Sequence, residues 1–164
     1  MGEYLDSSQV GRPGYEGFLN NQVVTLASVL QQSGFSTYMT GKWHLGSAAL
    51  PSQRGFDKTF ILQQGAGSHF DDTGYASAQP TVDYFRNGEA VNLPEDFYSS
   101  DTYTSEMIQY IREGQNLDKP FFGYLAFSAP HFPLHAPTEL IEKYEERYML
   151  GWDVIRQQRH DSLK

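Results

Sequence analysis

A helix-then-strand unit that occurs twice limits what this 164-residue chain can fold into. The first runs from Val23 to Ser33 and then through Phe35-Ser36-Thr37-Tyr38-Met39. Thr25 is placed to cap that helix, Leu26, Val29 and Leu30 recur at helical spacing, and Gly34 stands where a helix stops. The second unit is capped at Ser100-Asp101 and reaches Gly114, with Met107, Ile108 and Ile111 as its inner face. After the turn Asn116-Leu117-Asp118-Lys119-Pro120 comes the apolar run from Phe121 to Phe127, expected as a central strand covered on both faces. Helix followed by strand, repeated, predicts an α/β fold with a mostly parallel sheet flanked by helices.

The remaining stretches fit around that frame. Lys58 to Leu62 predicts a short strand. Tyr84 to Val91, with Asn87-Gly88 at its centre, predicts an inserted β-hairpin serving as a small appendage. Residues 138–148 predict a helix capped by Thr138, with Leu140, Ile141 and Tyr144 on one face, and a second helical stretch follows Gly151-Trp152-Asp153 as far as His160. Residues 1–22, rich in Gly, Ser and Asn, read as a connector, and 23–164 as the α/β part of a single domain. With 39% apolar and 15% aromatic residues, the chain has the means to bury a core, which argues against disorder. Net charge is −8 with no basic cluster, against a general nucleic-acid binder. No apolar run is long enough to span a bilayer, and Met1-Gly2-Glu3-Tyr4 does not open a leader peptide. The chain has no cysteine, so disulfides, thiolate metal sites and thiol nucleophiles are excluded within it.

Chemistry concentrates in two loops, each directly after a strand. The first is Thr40-Gly41-Lys42-Trp43-His44-Leu45-Gly46. In extended chain, residues two apart point the same way, so Lys42 and His44 are expected to converge on one point. A fixed cation beside a titratable imidazole suits an anionic ligand. The second loop is Ser128-Ala129-Pro130-His131-Phe132-Pro133-Leu134-His135-Ala136-Pro137, stiffened by its three prolines. In open α/β sheets ligands bind beyond the carboxyl ends of strands, where both loops are expected to lie. His131 is the first ionisable group past its strand, a candidate proton donor or anion contact, and His135 has a weaker claim as a cleft-lining residue. Gly65-x-Gly67 lacks the third glycine and the Lys-Ser/Thr ending of a phosphate loop. Asp71-Asp72-Thr73-Gly74 carries hard oxygen ligands but reads as a surface turn, and His69 and His160 as ordinary polar residues. Phe70, Tyr75 and Phe85 can serve either as stacking surfaces for a sugar or aryl group or as ordinary core and surface residues.

Thr25-Leu26-Ala27 through Gly34-Phe35, then Tyr38 to Gly46, then Arg54-Gly55-Phe56-Asp57, resembles the second signature region of the sulfatases, members of the alkaline-phosphatase-like superfamily. Lys119-Pro120-Phe121-Phe122, Ala129-Pro130-His131 and Pro133-Leu134-His135-Ala136-Pro137 resemble a later segment of the same family. The resemblance implies a partial alkaline-phosphatase-like fold and hydrolysis of sulfate esters, a sulfuric ester hydrolase activity. It implies a formylglycine nucleophile, made from the cysteine or serine of a Cys/Ser-x-Pro-x-Arg motif, and a divalent cation, usually Ca2+. Carried over by motif, Lys42 would contact sulfate and nucleophile. His44 would help deprotonate the formylglycine hydrate and later eliminate sulfate, and His131 would stabilise or protonate the leaving oxygen. Lys42, His131 and His135 would be the substrate contacts, for a sulfated small molecule or glycan. Family members are expected to be secreted, periplasmic or lysosomal.

The chain departs from the family pattern in lacking Cys/Ser-x-Pro-x-Arg, the early Asp-Asp pair, and the later Asp-Asn pair and second lysine. The expectation is an internal segment of a sulfatase catalytic domain, with no metal ligands of its own and the rest of that domain as its partner, inactive by itself. Two alternatives remain: a phosphodiesterase or phosphonate hydrolase of the superfamily, and a non-catalytic remnant that binds a sulfated ligand.

Overall fold

The structure, a computed structural model, describes residues 7–9, 11–77 and 79–164. The Met1-Gly2-Glu3-Tyr4 opening lies outside the described residues. Two compact units divide the chain, Met1–Leu134 and His135–Lys164.

In the first unit, α1 (Leu26–Gln32) leads into β1 (Ser36–Lys42), and α2 (Ser99–Gly114) leads into β7 (Phe121–Ala126). Between them come β2 (Lys58–Leu62), β3 (Thr73–Ala76), β4 (Gln79–Thr81), β5 (Tyr84–Arg86) and β6 (Glu89–Ala90). The main sheet has the order β6-β5-β2-β1-β7, while β3 and β4 form a separate two-stranded ribbon that sequence periodicity had not indicated. β1 runs parallel to both β2 and β7, as the repeated helix-then-strand unit requires, with Gly41 opposite Ile61 on one side and Ala126 on the other.

The hairpin of β5 and β6 is more than an appendage. β5 pairs antiparallel with β2, Ile61 opposite Phe85, so the hairpin extends the sheet and makes it mixed. Its turn takes left-handed backbone at Asn87 (φ 52°) and Gly88 (φ 90°), and Asn87 Oδ1 accepts from the Thr59 amide at 2.8 Å. Side-chain alternation along the strands feeds two cores. Tyr38, Phe60 and Leu62 join Tyr84, Tyr103, Met107 and Tyr110 on the α2 side, while Met39 and Ile61 join Ala27, Trp43 and Phe56 on the other.

Several helix details differ from the sequence expectation. Thr25 does cap α1, its Oγ1 accepting from the Ser28 amide at 3.0 Å. Gly34 ends that helix with φ 90°, and the Phe35 amide reaches back to the Leu30 carbonyl at 3.1 Å, closing a Schellman turn. The inward residue, however, is Ala27; Leu26 and Val29 are exposed, because a seven-residue helix lying close to the sheet admits only a small side chain at the contact. In α2 the buried face is Ser99, Tyr103, Met107 and Tyr110, rotated from the expected one, with Ile108 exposed. Its N-cap is Tyr98, without a side-chain cap bond, not Ser100-Asp101. His69 is a core residue, 2% exposed, its Nδ1 2.7 Å from Ser99 Oγ. β7 is an edge strand among the described residues, with Phe121 52% and Tyr124 50% exposed. Its apolar run shows that the strand is built for burial but does not say which neighbours deliver it.

The end of the connector, from Leu19 to Asn21, is held rather than loose. Arg54 is 6% exposed, and its guanidinium donates to the carbonyls of Leu19 (3.1 Å), Asn20 (2.9 Å) and Val23 (2.8 Å) and to Asn21 Oδ1 (3.1 Å). The Leu19 amide in turn donates to the Leu45 carbonyl at 2.9 Å. Asp57 of the same Arg-Gly-Phe-Asp stretch accepts from the Thr37 amide at 2.9 Å, tying the strand start to the turn before β2.

The second unit holds α3 (Thr138–Tyr148) and α4 (Trp152–Ser162). Pro137, not Thr138, is the N-cap of α3, with no side-chain cap bond, and Leu140, Ile141 and Tyr144 are exposed. His160 lies on α4 beside a cavity of about 740 Å³ lined by Trp152, Ile155, Arg159 and Leu163.

Candidate functional site

Parallel pairing of β1 and β7 brings the two chemistry-bearing loops to one edge of the sheet. Gly41 sits opposite Ala126, so Lys42 and the Ser128–His131 stretch both leave the carboxyl ends of adjacent strands. Close approach at this point needs a glycine. Gly41 has φ 108°, and a Cβ there would lie 1.9 Å from the Ala126 carbonyl oxygen.

Lys42 is the last residue of β1 and is partly buried. Burial pushes its ammonium pKa below the ordinary lysine value. Partial removal from water also strengthens the attraction of that charge for an anion. Beyond β1 the backbone stays hydrogen-bonded to the β2 side, with the Trp43 amide on the Leu62 carbonyl (2.8 Å) and the His44 amide on the Gln63 carbonyl (3.0 Å). Trp43 is buried, and its indole Nε1 donates to the Ala49 carbonyl at 3.1 Å, anchoring the loop between the two candidate residues.

The extended-chain argument for Lys42 and His44 fails at His44. Its φ is 49°, left-handed, so the alternation of side chains that holds in a strand ends at Trp43. A non-glycine residue in that region costs on the order of 1–2 kcal/mol and persists where its surroundings determine it.

His131 is exposed, and its amide donates to the Ser128 carbonyl at 2.9 Å. Its Nδ1 lies 2.6 Å from the Phe132 carbonyl oxygen. A carbonyl only accepts, so the proton sits on Nδ1 and Nε2 is left to exchange a proton with a ligand. The Ala129-Pro130 and Phe132-Pro133 bonds of this loop are cis. The Tyr75 ring meets Phe132 edge-on at 5.7 Å, so Tyr75 borders this loop, whereas Phe70 stacks on Tyr98 at 5.2 Å and Phe85 packs against the second core. His135 falls in the second unit, ahead of α3.

Sequence reasoning missed the polar chain under the His131 loop. Ser128 is buried with its Oγ 3.5 Å from Tyr103 Oη, which donates to Tyr84 Oη at 3.4 Å. Burial raises the pKa of the Tyr103 and Tyr84 hydroxyls, so both stay neutral hydrogen-bonding groups. The signal was present: Tyr103, Met107 and Tyr110 recur at helical spacing.

Asp71 and Asp72 lie in an exposed loop at the start of β3, with Asp71 Oδ1 accepting from the Thr73 amide at 2.8 Å. Among the described residues no group of three or more His, Asp or Glu side chains is arranged to hold a metal ion. The divalent cation of the family therefore does not fit the donor set present.

Residues 3–164 match the Sulfatase family profile. The chain belongs to the sulfatase family. It is 40% identical to an arylsulfatase of Klebsiella aerogenes over 99% of its own length and 36% of that protein's. To arylsulfatase J of Mus musculus it is 36% identical, over 81% of this chain and 23% of that one. The chain thus spans about a third or less of the curated sulfatases it matches. Among solved structures, Ps i-CgsB in complex with k-i-k-neocarrahexaose superposes with a TM-score of 0.63 at 27% identity, over 72% of this chain and 29% of that one. BT4656 in complex with its substrate D-glucosamine-2-N,6-O-disulfate does so with a TM-score of 0.60 at 25% identity, over 79% and 23%. The sheet of β1, β2 and β7 with its flanking helices is thus a partial alkaline-phosphatase-like fold.

Proposed function

We propose that these residues form the sulfate-binding and proton-transfer part of a sulfatase site, acting on the sulfate ester of a sugar or aryl compound. The observation that carries the reading is the β1–β7 pairing, which sends the Lys42–His44 loop and the His131 loop from the same sheet edge. In this reading the partly desolvated Lys42 ammonium binds a sulfate oxygen. His131, with its Nδ1–H held by the Phe132 carbonyl and Nε2 carrying the second proton of an imidazolium, delivers the Nε2 proton to the ester oxygen as the attacking nucleophile displaces that oxygen from sulfur. His44 is the second imidazole of the site and takes up or returns a proton on the opposite side of the reaction. The sugar class is supported by two solved relatives, one in complex with a neocarrahexaose and one with a glucosamine disulfate.

Formylglycine and a divalent cation belong to the family mechanism; the chain holds no Cys/Ser-x-Pro-x-Arg motif for the first, and its described residues present no metal-binding cluster for the second. In this reading the 164 residues alone turn over no sulfate ester, since they carry no Cys/Ser-x-Pro-x-Arg motif to supply the nucleophile. The same two observations favour the second reading, a module that binds a sulfated ligand without hydrolysing it.

The test is twofold. Purified chain is assayed with an aryl sulfate, and inorganic sulfate is titrated into it while the Lys42, His44 and His131 side-chain resonances are followed. Saturable, salt-sensitive movement at all three without turnover is the expected result. Hydrolysis above background would remove the claim of inactivity, and silent resonances would remove the site. The hydrolytic reading is tested in a longer polypeptide carrying this segment behind a Cys/Ser-x-Pro-x-Arg motif. There, alanine at Lys42, His44 or His131 should lower kcat/KM by about 100-fold or more.

A further inference from the structure

Gly65, set aside above as part of an incomplete phosphate-loop pattern, lies directly beneath the His44 imidazole. A Cβ built on Gly65 would lie 2.6 Å from both Cε1 and Nε2 of His44 and 3.1 Å from Cδ2. Real carbon contacts do not occur that close, so the ring rests where only a hydrogen atom intervenes. The glycine is not needed for its own backbone, because Gly65 is absent from the positive-φ residues, unlike Gly41 or Gly46. What it provides is space. His44, in turn, is held by its left-handed φ of 49° and by its amide bond to Gln63, two residues before Gly65. Ring and floor therefore belong to two segments that leave β1 and β2 side by side.

We infer that Gly65 is a positioning residue for His44: its missing side chain sets where the imidazole, and Nε2 in particular, is placed. The consequence for catalysis rests on the proposed role of His44, whereas the placement itself does not. A methyl group at position 65 forces the ring off its seat by roughly 1 Å, a displacement that can cost an enzyme about 100-fold in rate. The collision involves the distal edge of the ring, Cε1, Nε2 and Cδ2, so the imidazole relieves it only by swinging about its side-chain bonds, which moves Nε2 itself.

The ring resonances of each histidine, read by NMR in the 164-residue chain, test the inference with Gly65→Ala, His44→Ala and the double variant. Gly65→Ala should displace the His44 ring resonances while leaving the His131 ring resonances unchanged, an outcome that general loosening of the fold does not produce. A folded Gly65→Ala chain whose His44 signals superimpose on the parent's overturns the inference. If Gly65→Ala does not fold, the double variant decides, since deleting the ring removes the collision: recovery of folding supports the inference, and failure to recover overturns it. Sulfate titration of the parent chain separates this from the functional reading. His44 signals that ignore sulfate but respond to Gly65→Ala sink the sulfate site and leave the positioning role standing.

Discussion

Replacing Arg54 by alanine removes the clamp that joins the connector to the signature loop. Its guanidinium serves four neutral oxygens between Leu19 and Val23, one from Nη2 and three from Nη1, whose two N–H groups are shared among them. A hydrogen bond to a charged group contributes about 1.5–3 kcal/mol. Four such bonds do not add, and deleting the cation also relieves a desolvation cost of several kcal/mol. The net loss expected is about 3 kcal/mol, close to the upper range for single substitutions. For a chain of this size each kcal/mol lowers Tm by roughly 2–4 °C, so Arg54→Ala should melt about 6–12 °C below the parent. Arg54→Lys should fall between, because one ammonium cannot reproduce a planar fork serving four acceptors. Urea unfolding measures the global term, and hydrogen exchange at the Leu19 amide, bonded to the Leu45 carbonyl, reports whether the connector has left the loop. An Arg54→Ala midpoint within ~0.5 kcal/mol of the parent, with the Leu19 amide still protected, would refute the reasoning.

Three further outcomes follow from single positions. Thr40 is fully buried in β1 with no partner for Oγ1 among the described residues, so Thr40→Val should stabilise the chain by about 1 kcal/mol; a loss of stability in urea would show that the hydroxyl is satisfied. Gly41→Ala, with a left-handed φ and a Cβ driven into the Ala126 carbonyl, should cost more than ~3 kcal/mol and part β1 from β7, seen as lost amide protection in both strands. Burial holds the Lys42 pKa below 10.5, so between its folded value and 10.5 the unfolded chain binds more protons, and stability contributed at this position rises with pH through that window. Lys42→Met should therefore be more stable than the parent at pH 7 and lose that advantage above about pH 10.5 while binding no sulfate; denaturation midpoints that stay equal across this pH range argue against a buried ammonium.

How much was legible in the chain depended on the range of the interaction. The two helix-then-strand units, the Thr25 cap, the Gly34 stop and the Asn87-Gly88 turn are local, since each is decided by residues within a few positions of one another. Helix faces were less secure. Leu26, Val29 and Leu30 have the right spacing, but the depth available between α1 and the sheet selected Ala27. His44 shows the same limit inside the candidate site, where a left-handed residue broke the alternation that an extended reading relied on.

The sequence by itself picked out the candidate side chains, because Lys42, His44 and His131 stand in short motifs just after recognisable strands. Only the tertiary structure decided that Gly41 faces Ala126, that the hairpin completes the sheet, that Arg54 clamps the connector, and that His44 lies on Gly65. Those pairings join segments 20 to 90 residues apart, and no local pattern encodes a distance between chain segments until the strands have paired.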